Sequence, residues 1–269
     1  MSFLRVIRNR LAAPKPESSE PEVSERGRYG LDLKTGDKHY RAWVGPPEEY
    51  DLIGALQVTL LLAAGLEETH HLCDVGCGSL RAGRMLIPYL RPGHYFGIEP
   101  ERWLVEEGVK HELGRGIMEV KQPSFRFVSD FSLEDFGTEF DFVVAQSVFS
   151  HTFPDLLGLA LRRIASSLAP SGKIFATWNP AAPGADRPKL GPEGRVLPNG
   201  WIHKGIYAYS WEEMQGFLRE SGLVGRRLRW PHPRQSWFVA SCPEHEAAID
   251  ELSRAIRSPR PGWGKGRSA

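Results

Sequence analysis

The stretch His71-Leu-Cys-Asp-Val-Gly-Cys-Gly-Ser-Leu-Arg-Ala-Gly83, with Tyr95-Phe-Gly-Ile-Glu-Pro100 behind it, decides how this chain folds. Leu72 to Val75 predict a short buried strand, Gly76 to Gly78 a tight turn, Leu80 to Leu90 a helix, and Tyr95 to Ile98 the next parallel strand. Glu99 ends that second strand, 21 residues beyond Gly78. In an open parallel sheet, ligands sit outside the carboxyl ends of the strands, where glycines let backbone approach ligand. A carboxylate at that place accepts hydrogen bonds from two ribose hydroxyls, so the spacing predicts a nucleoside site.

The kind of nucleoside follows from the third glycine position. Dinucleotide sites carry Gly or Ala there, so that the helix packs close and its N-terminus faces a pyrophosphate. Here the position is Arg81, and Gly83 comes two residues late. A ligand without a pyrophosphate fits better, such as S-adenosylmethionine (SAM), which carries a sulfonium and an amino-acid end. On Asp74-Val75-Gly76-Cys77-Gly78 and Glu99 the chain resembles the class I SAM-dependent methyltransferases, over roughly Tyr40 to Ser241. The resemblance implies an α/β, Rossmann-like fold: a seven-stranded, mostly parallel sheet with an antiparallel last strand and helices on both faces. It also implies cofactor contacts from Asp74, Gly76, Cys77, Gly78, Arg81 and Glu99.

Later segments extend the pattern. Phe125 to Phe131 reads as a third strand ending in an acid and an aromatic. The resemblance places such a pair, here Asp130 and Phe131, at the adenine; a strand followed by an acidic loop is the other reading. Phe140 to Gln146 is a nearly continuous apolar run, as expected of a central parallel strand buried on both faces. Its end, at Gln146, is where the methyl donor is expected. Phe153 to Leu168 has helical periodicity and is stopped by Ala169-Pro-Ser-Gly172, after which Lys173 to Trp178 reads as a fifth strand. Trp211 to Gly222 reads as an amphipathic helix, followed by a terminal hairpin of Leu223 to Trp230 and Ser236 to Ser241 joined by Pro231-His-Pro-Arg-Gln235. A nicotinamide-binding sheet would be parallel here, whereas the class I enzymes insert an antiparallel last strand between the fifth and sixth.

The 269 residues and a net charge of +1 suit one domain with tails, and no apolar run approaches the roughly 18 to 20 residues that span a bilayer. We expect a tail over 1–27, a methyltransferase domain over 28–242 with a helical cover at 28–70, and a helix with a basic tail over 243–269. Cys73, Cys77 and Cys242 have no metal-ligand spacing and suit a reducing cytoplasm. Phe3, Leu4, Ile7 and Leu11 lie at helical spacing among Arg5, Arg8 and Arg10, which permits weak membrane-surface contact; a frayed basic terminus is the blander reading, and a signal peptide is not expected. Arg257, Arg260, Lys265 and Arg267 stand without acids at the other end and are read as solvated.

Chemistry centres on Gln146-Ser-Val-Phe-Ser-His151-Thr152 after the fourth strand. A similar run recurs in methyltransferases acting on sugars, lipids and natural products. Methyl transfer needs alignment above all, but a hydroxyl acceptor also needs a base, and imidazole serves near neutral pH. His151 is therefore the expected general base; a histidine that caps the next helix or lines the pocket is the alternative. His203 and His232 fall where loops reach the cleft. Asp130, Asp141 and Asn179 show no metal-ligand spacing, and no metal is expected.

Acceptor contacts are expected where the chain leaves the shared core. Asn179 to Tyr209, with five prolines and five glycines, is too long for a simple connection and reads as a lid or binding loop carrying Trp201, His203 and Tyr209. Before the first strand, Tyr40, Trp43 and Gln57 belong to a segment resembling the helical cover of these enzymes. The Asn-Pro-Pro-Tyr type sequence of nucleic-acid amino-methylating enzymes is missing, so a small-molecule or glycan oxygen is favoured over a nucleic acid. A small-molecule N-methyltransferase, an inactive SAM-fold binding protein and a nicotinamide-linked reductase are the alternatives.

Overall fold

The computed structural model describes residues 25–181, 195–196, 202–203 and 206–256. The N-terminal amphipathic stretch, the basic C-terminal tail, Trp201 and most of the loop after the fifth strand lie outside them. A one-turn helix α1 (Glu25–Arg28) spans the end of the expected N-terminal tail, and α2 (Tyr40–Trp43) and α3 (Tyr50–Ala63) form the cover.

The core then alternates strand and helix: β1 (Leu72–Val75), α4 (Gly83–Tyr89), β2 (Tyr95–Ile98), α5 (Arg102–Gly108), α6 (Arg115–Lys121), β3 (Ser124–Arg126), β4 (Phe140–Ala145), α7 (Pro154–Ser166) and β5 (Leu168–Pro180). Two short pieces, β6 (Arg195–Val196) and β7 (Ile202–His203), pair with each other. The chain finishes with β8 (Ala208–Tyr209), α8 (Trp211–Glu220), β9 (Val224–Leu228), β10 (Ser236–Ser241) and α9 (Glu246–Ala255).

The main sheet runs β3-β2-β1-β4-β5-β10-β9, and β8 adds to β5. Pairing is parallel from β3 to β5, while β10 runs antiparallel to both β5 and β9. The last strand is thus inserted between the fifth and the one before it, as the terminal hairpin implied. The order reverses at β1 and β4, and this switch point opens a crevice at the strands' carboxyl ends.

β1 and β2 are buried along their whole length, because both sheet faces are covered. Alternate residues of β4 and β5 serve opposite layers. Val143, Ala145, Ile174 and Trp178 pack with α7 and α8, while Phe142, Val144 and Phe175 pack with α3, α4 and α9. α8 starts on a capping box, in which Ser210 and Glu213 satisfy each other's backbone N–H groups. α9 buries Ile249 against the second layer, so this helix is joined to the sheet.

Three boundaries differ from the periodicity. The first crossover helix begins at Gly83, because Leu80 has φ 61, a left-handed conformation that keeps the preceding turns irregular. β3 pairs only as far as Arg126, beyond which the chain leaves the edge of the sheet. α7 stops at Ser166, and Leu168 already pairs with Phe140 across a register shift. A Cβ on Gly172 would lie 2.5 Å from the carbonyl oxygen of Phe140, so this bulge demands glycine.

Trp178, wholly buried at the end of β5, donates its indole N–H to the carbonyl of Tyr209 at 3.1 Å and thereby ties β8 to the sheet. Trp178→Ala is expected to lower the unfolding free energy by about 3–5 kcal/mol. Urea denaturation measures this; a loss under about 1 kcal/mol would mean the site collapses around the smaller side chain.

Candidate active site

A cavity of about 730 Å³ opens at the switch point. Its floor is the turn after β1. Gly76 and Gly78 take φ 68 and 55, and the N–H groups of Gly76 and Cys77 both donate to the carbonyl of Ile98, at 2.7 and 3.1 Å. The turn is thereby folded over the end of β2. A Cβ on Gly76 would meet Val148 Cγ2 at 2.6 Å, and one on Gly78 would meet Val44 Cγ1 at 2.9 Å. Gly78→Ala combines this clash with a left-handed φ, and is expected to cost about 1–2 kcal/mol of stability and to weaken SAM binding. Thermal unfolding and calorimetric titration read the two effects; unchanged values in both would show that the turn adapts.

Glu99 completes the floor. One carboxylate oxygen accepts the N–H of Gly78 at 2.9 Å, and the other accepts that of Glu101 at 2.9 Å. Each oxygen keeps a lone pair for a ligand hydroxyl. Burial pushes the carboxyl up to about 7, against the lowering effect of those two hydrogen bonds. Beside it, Glu101 lines the same cavity, and its Oε1 is buried with no hydrogen-bond partner. An orphaned acceptor next to Glu99 fits a ligand rich in hydroxyl donors, such as a ribose. Glu101 went unread in the sequence; its signal is a second acid two residues after the strand-end acid.

Cys77, Arg81, Phe131, Gln146, Trp43 and His151 also line the cavity. Phe131 has φ 60, and this reversal presents Val128, Ser129 and Phe131 to the cavity wall. Arg81 is held by the carbonyl of Val44 at 3.1 Å and by the side-chain oxygen of Gln146. Burial lowers its pKa to about 10. The amide nitrogen of Gln146 donates to Ser147 Oγ at 2.6 Å and lies 2.9 Å from His232 Nε2, and Ser147 Oγ donates to Gln235 at 3.1 Å. His232 is pushed down to about 4 by burial, then by Arg234 and Arg81, so its ring is neutral near pH 7. The β9–β10 connection therefore reaches the cavity, where Arg234 and Gln235 form part of the wall.

Several expected contacts lie elsewhere. Asp130 does not line the cavity: it accepts from Ser132 Oγ at 2.9 Å and pairs with Arg163 of α7 at 2.9 Å. Burial would raise its pKa, but those partners hold the carboxyl below its ordinary value. Asp74 is buried under the turn, accepts the phenol O–H of Tyr95 at 2.9 Å and is pushed up to about 7 by burial. It supports the turn without facing the cavity. Tyr40 is buried behind the cover, donating to Glu112 at 2.9 Å and stacked on His111, beside the ion pairs of Arg41 and Arg84 with Glu112. Gln57 is buried on α3, and Tyr209 donates to the carbonyl of Thr152 at 2.6 Å; neither lines the cavity. Their side chains serve packing because the adjoining layers claim them. Of His203 only the backbone is described, paired with Arg195, and Trp201 lies outside the described residues.

His151 ends a one-turn 3-10 helix, Phe149–His151, set directly after β4. Its N–H donates to the carbonyl of Val148 at 2.9 Å, and the residue joins Ser147, Ser150 and Asn179 in lining the cavity. Among the described residues no three His, Cys, Asp or Glu side chains form a group that could hold a metal ion. Asp141 accepts the N–H of His71 at 2.8 Å, at the opposite end of the strands. No helix among the described residues is long and apolar enough to cross a membrane.

Comparison with known proteins agrees with this geometry. Residues 73–174 match the family model described as a methyltransferase domain. No curated protein matches the chain. Among solved structures, magnesium protoporphyrin IX methyltransferase from Synechocystis PCC 6803, with bound S-adenosylhomocysteine (SAH), is 16% identical over 72% of this chain and 86% of that one, with a TM-score of 0.51. A putative O-methyltransferase from Nostoc punctiforme PCC 73102 is 17% identical over 75% of this chain and 59% of that one, TM-score 0.54. The glycopeptide N-methyltransferase MtfA, complexed with SAM, is 9% identical over 71% and 94%, TM-score 0.53. At these identities the likeness is one of fold. The match identifies residues 73–174 as a methyltransferase domain, and the sheet order and the glycine turn above Glu99 fit the fold of SAM-dependent methyltransferases. SAM or SAH is bound in several of these neighbours, which share the fold.

Proposed function

We propose that the protein methylates an oxygen of a small molecule or glycan and that His151 takes the hydroxyl proton. One observation carries the reading: His151 lines the same cavity as Gly76, Gly78 and Glu99, on a rigid turn immediately after the strand that ends at the switch point. In this reading Glu99, backed by Glu101, holds the ribose, Phe131 with Val128 covers the adenine, and Gln146 borders the methionine end. The cofactor supplies a methyl carbon already activated by its sulfonium. The chain's own task is to align a hydroxyl with that carbon and to remove its proton as the new bond forms. Asn179, whose amide nitrogen spends one hydrogen on the carbonyl of Tyr207, offers the other to a polar acceptor, and Trp43 also lines the cavity. Trp201 and His203 are proposed to join from the loop after β5.

The test is transfer of labelled methyl from SAM to matched pairs of phenols or alcohols and their amine counterparts. Label in methyl ethers supports the proposal; label confined to amines replaces it with N-methylation.

A further inference from the structure

Among the described residues, the cavity end reached by the β9–β10 connection sets two guanidinium groups against one ion-paired carboxylate. Arg81 and Arg234 both line it. Among the described residues Arg81 is hydrogen-bonded by neutral acceptors, Val44 and Gln146, and its Nε is buried with no hydrogen-bond partner. Such a guanidinium is costly to bury without a counter-charge. Arg234 pairs with Glu49. One of the two positive charges is therefore unmatched by any ion pair among the described residues.

The two guanidinium groups also converge. Gly45, with φ 141, leaves bare backbone between them, and a Cβ there would lie 3.6 Å from Arg81 Nη1 and 3.8 Å from Arg234 Nη2. The two nitrogens therefore lie no more than about 7.4 Å apart, a span that the oxygens of one carboxylate or phosphate can bridge. The cofactor does not supply the missing charge. The carboxylate of its methionine end is matched by its own ammonium, and its sulfonium adds a further positive charge.

Resting on the reading of this cavity as the acceptor site, we propose that the methyl acceptor is an anion. Its carboxylate or phosphate is held between Arg81 and Arg234, and Glu49 occupies Arg234 until the acceptor displaces it.

The experiment titrates inorganic phosphate, and separately 4-hydroxybenzoate, into protein saturated with SAH. Binding is expected, weakened about tenfold or more by Arg234→Gln. Glu49→Gln is expected to strengthen it, because the internal competitor is gone; a purely structural pair would not give effects of opposite sign. Mutual exclusion of phosphate and SAH would assign the subsite to the cofactor's own carboxylate and overturn the proposal. No binding to the SAH-loaded protein, or indifference to both substitutions, would overturn it too. Methyl transfer separates this proposal from the choice of reacting atom. Preference for 4-aminobenzoate over 4-aminobenzamide, with no transfer to phenols, would keep the anion site and sink the oxygen reading. Equal use of 4-hydroxybenzoate and 4-hydroxybenzamide would keep the oxygen reading and sink the anion site.

Discussion

His151→Ala is expected to lower turnover by about two to four orders of magnitude while leaving SAM affinity unchanged. The size follows from what is removed. An alcohol or phenol is a poor nucleophile until its proton leaves, and a positioned base takes that proton within the transition state. The fold makes the substitution clean, since the turn holding His151 is fixed by backbone bonds, Tyr207 N–H to Ser150 at 2.8 Å and His151 N–H to Val148 at 2.9 Å. Alanine keeps both. Steady-state assays with a working acceptor, across pH, carry a signature that a structural role would not produce: the rate of the alanine variant should climb with hydroxide concentration. A loss below about tenfold would retire the base and leave His151 as a wall of the pocket.

Glu99→Ala is expected to raise the Kd for SAM by about two orders of magnitude. Hydrogen bonds to a charged group contribute about 1.5–3 kcal/mol each, and the carboxylate also anchors Gly78. The wild-type affinity should depend on pH with a definite sign. The carboxyl of the unliganded protein sits at about 7, and the ionised form is the better acceptor of ribose hydroxyls. SAM binding should therefore weaken as pH falls through 7, by about tenfold between pH 8 and pH 6. Glu99→Gln should flatten this profile. Stability runs the other way: a carboxyl raised above its unfolded value favours the fold at low pH, and that contribution is lost as pH rises from about 4.5 through about 7. Calorimetric titration at three pH values decides; an affinity indifferent to both pH and Glu99→Ala would remove Glu99 from the ribose site.

Features that depend on neighbours in sequence were legible from the start. The apolar runs of β1, β2 and β4, the glycines of the turn and the capping signal before α8 are local, because a period or a positive φ leaves its mark in residue types. Topology followed from the alternation and from the terminal hairpin. The site was legible where a side chain is carried by the turn or by a strand end, as with Gly76, Gly78, Glu99 and Gln146.

It was illegible where a competing partner from elsewhere decides a side chain's direction. Asp130 has the residue type of an adenine ligand, but Arg163, 33 residues away on α7, claims it. Tyr40 and Tyr209 look like acceptor contacts, yet Glu112 and the carbonyl of Thr152 take their hydroxyls.

The sequence by itself determined the alternation of strands and helices and the glycine turn, since each follows from short-range periodicity and backbone conformation, while the class of sheet came through the resemblance to a known family. Only the tertiary structure decided which polar groups face the cavity. It brought Arg234 beside Arg81, 153 positions away in the chain, and left Glu101 Oε1 without a partner. Hydrogen-bond satisfaction is settled among groups distant in sequence, and no local pattern records its outcome.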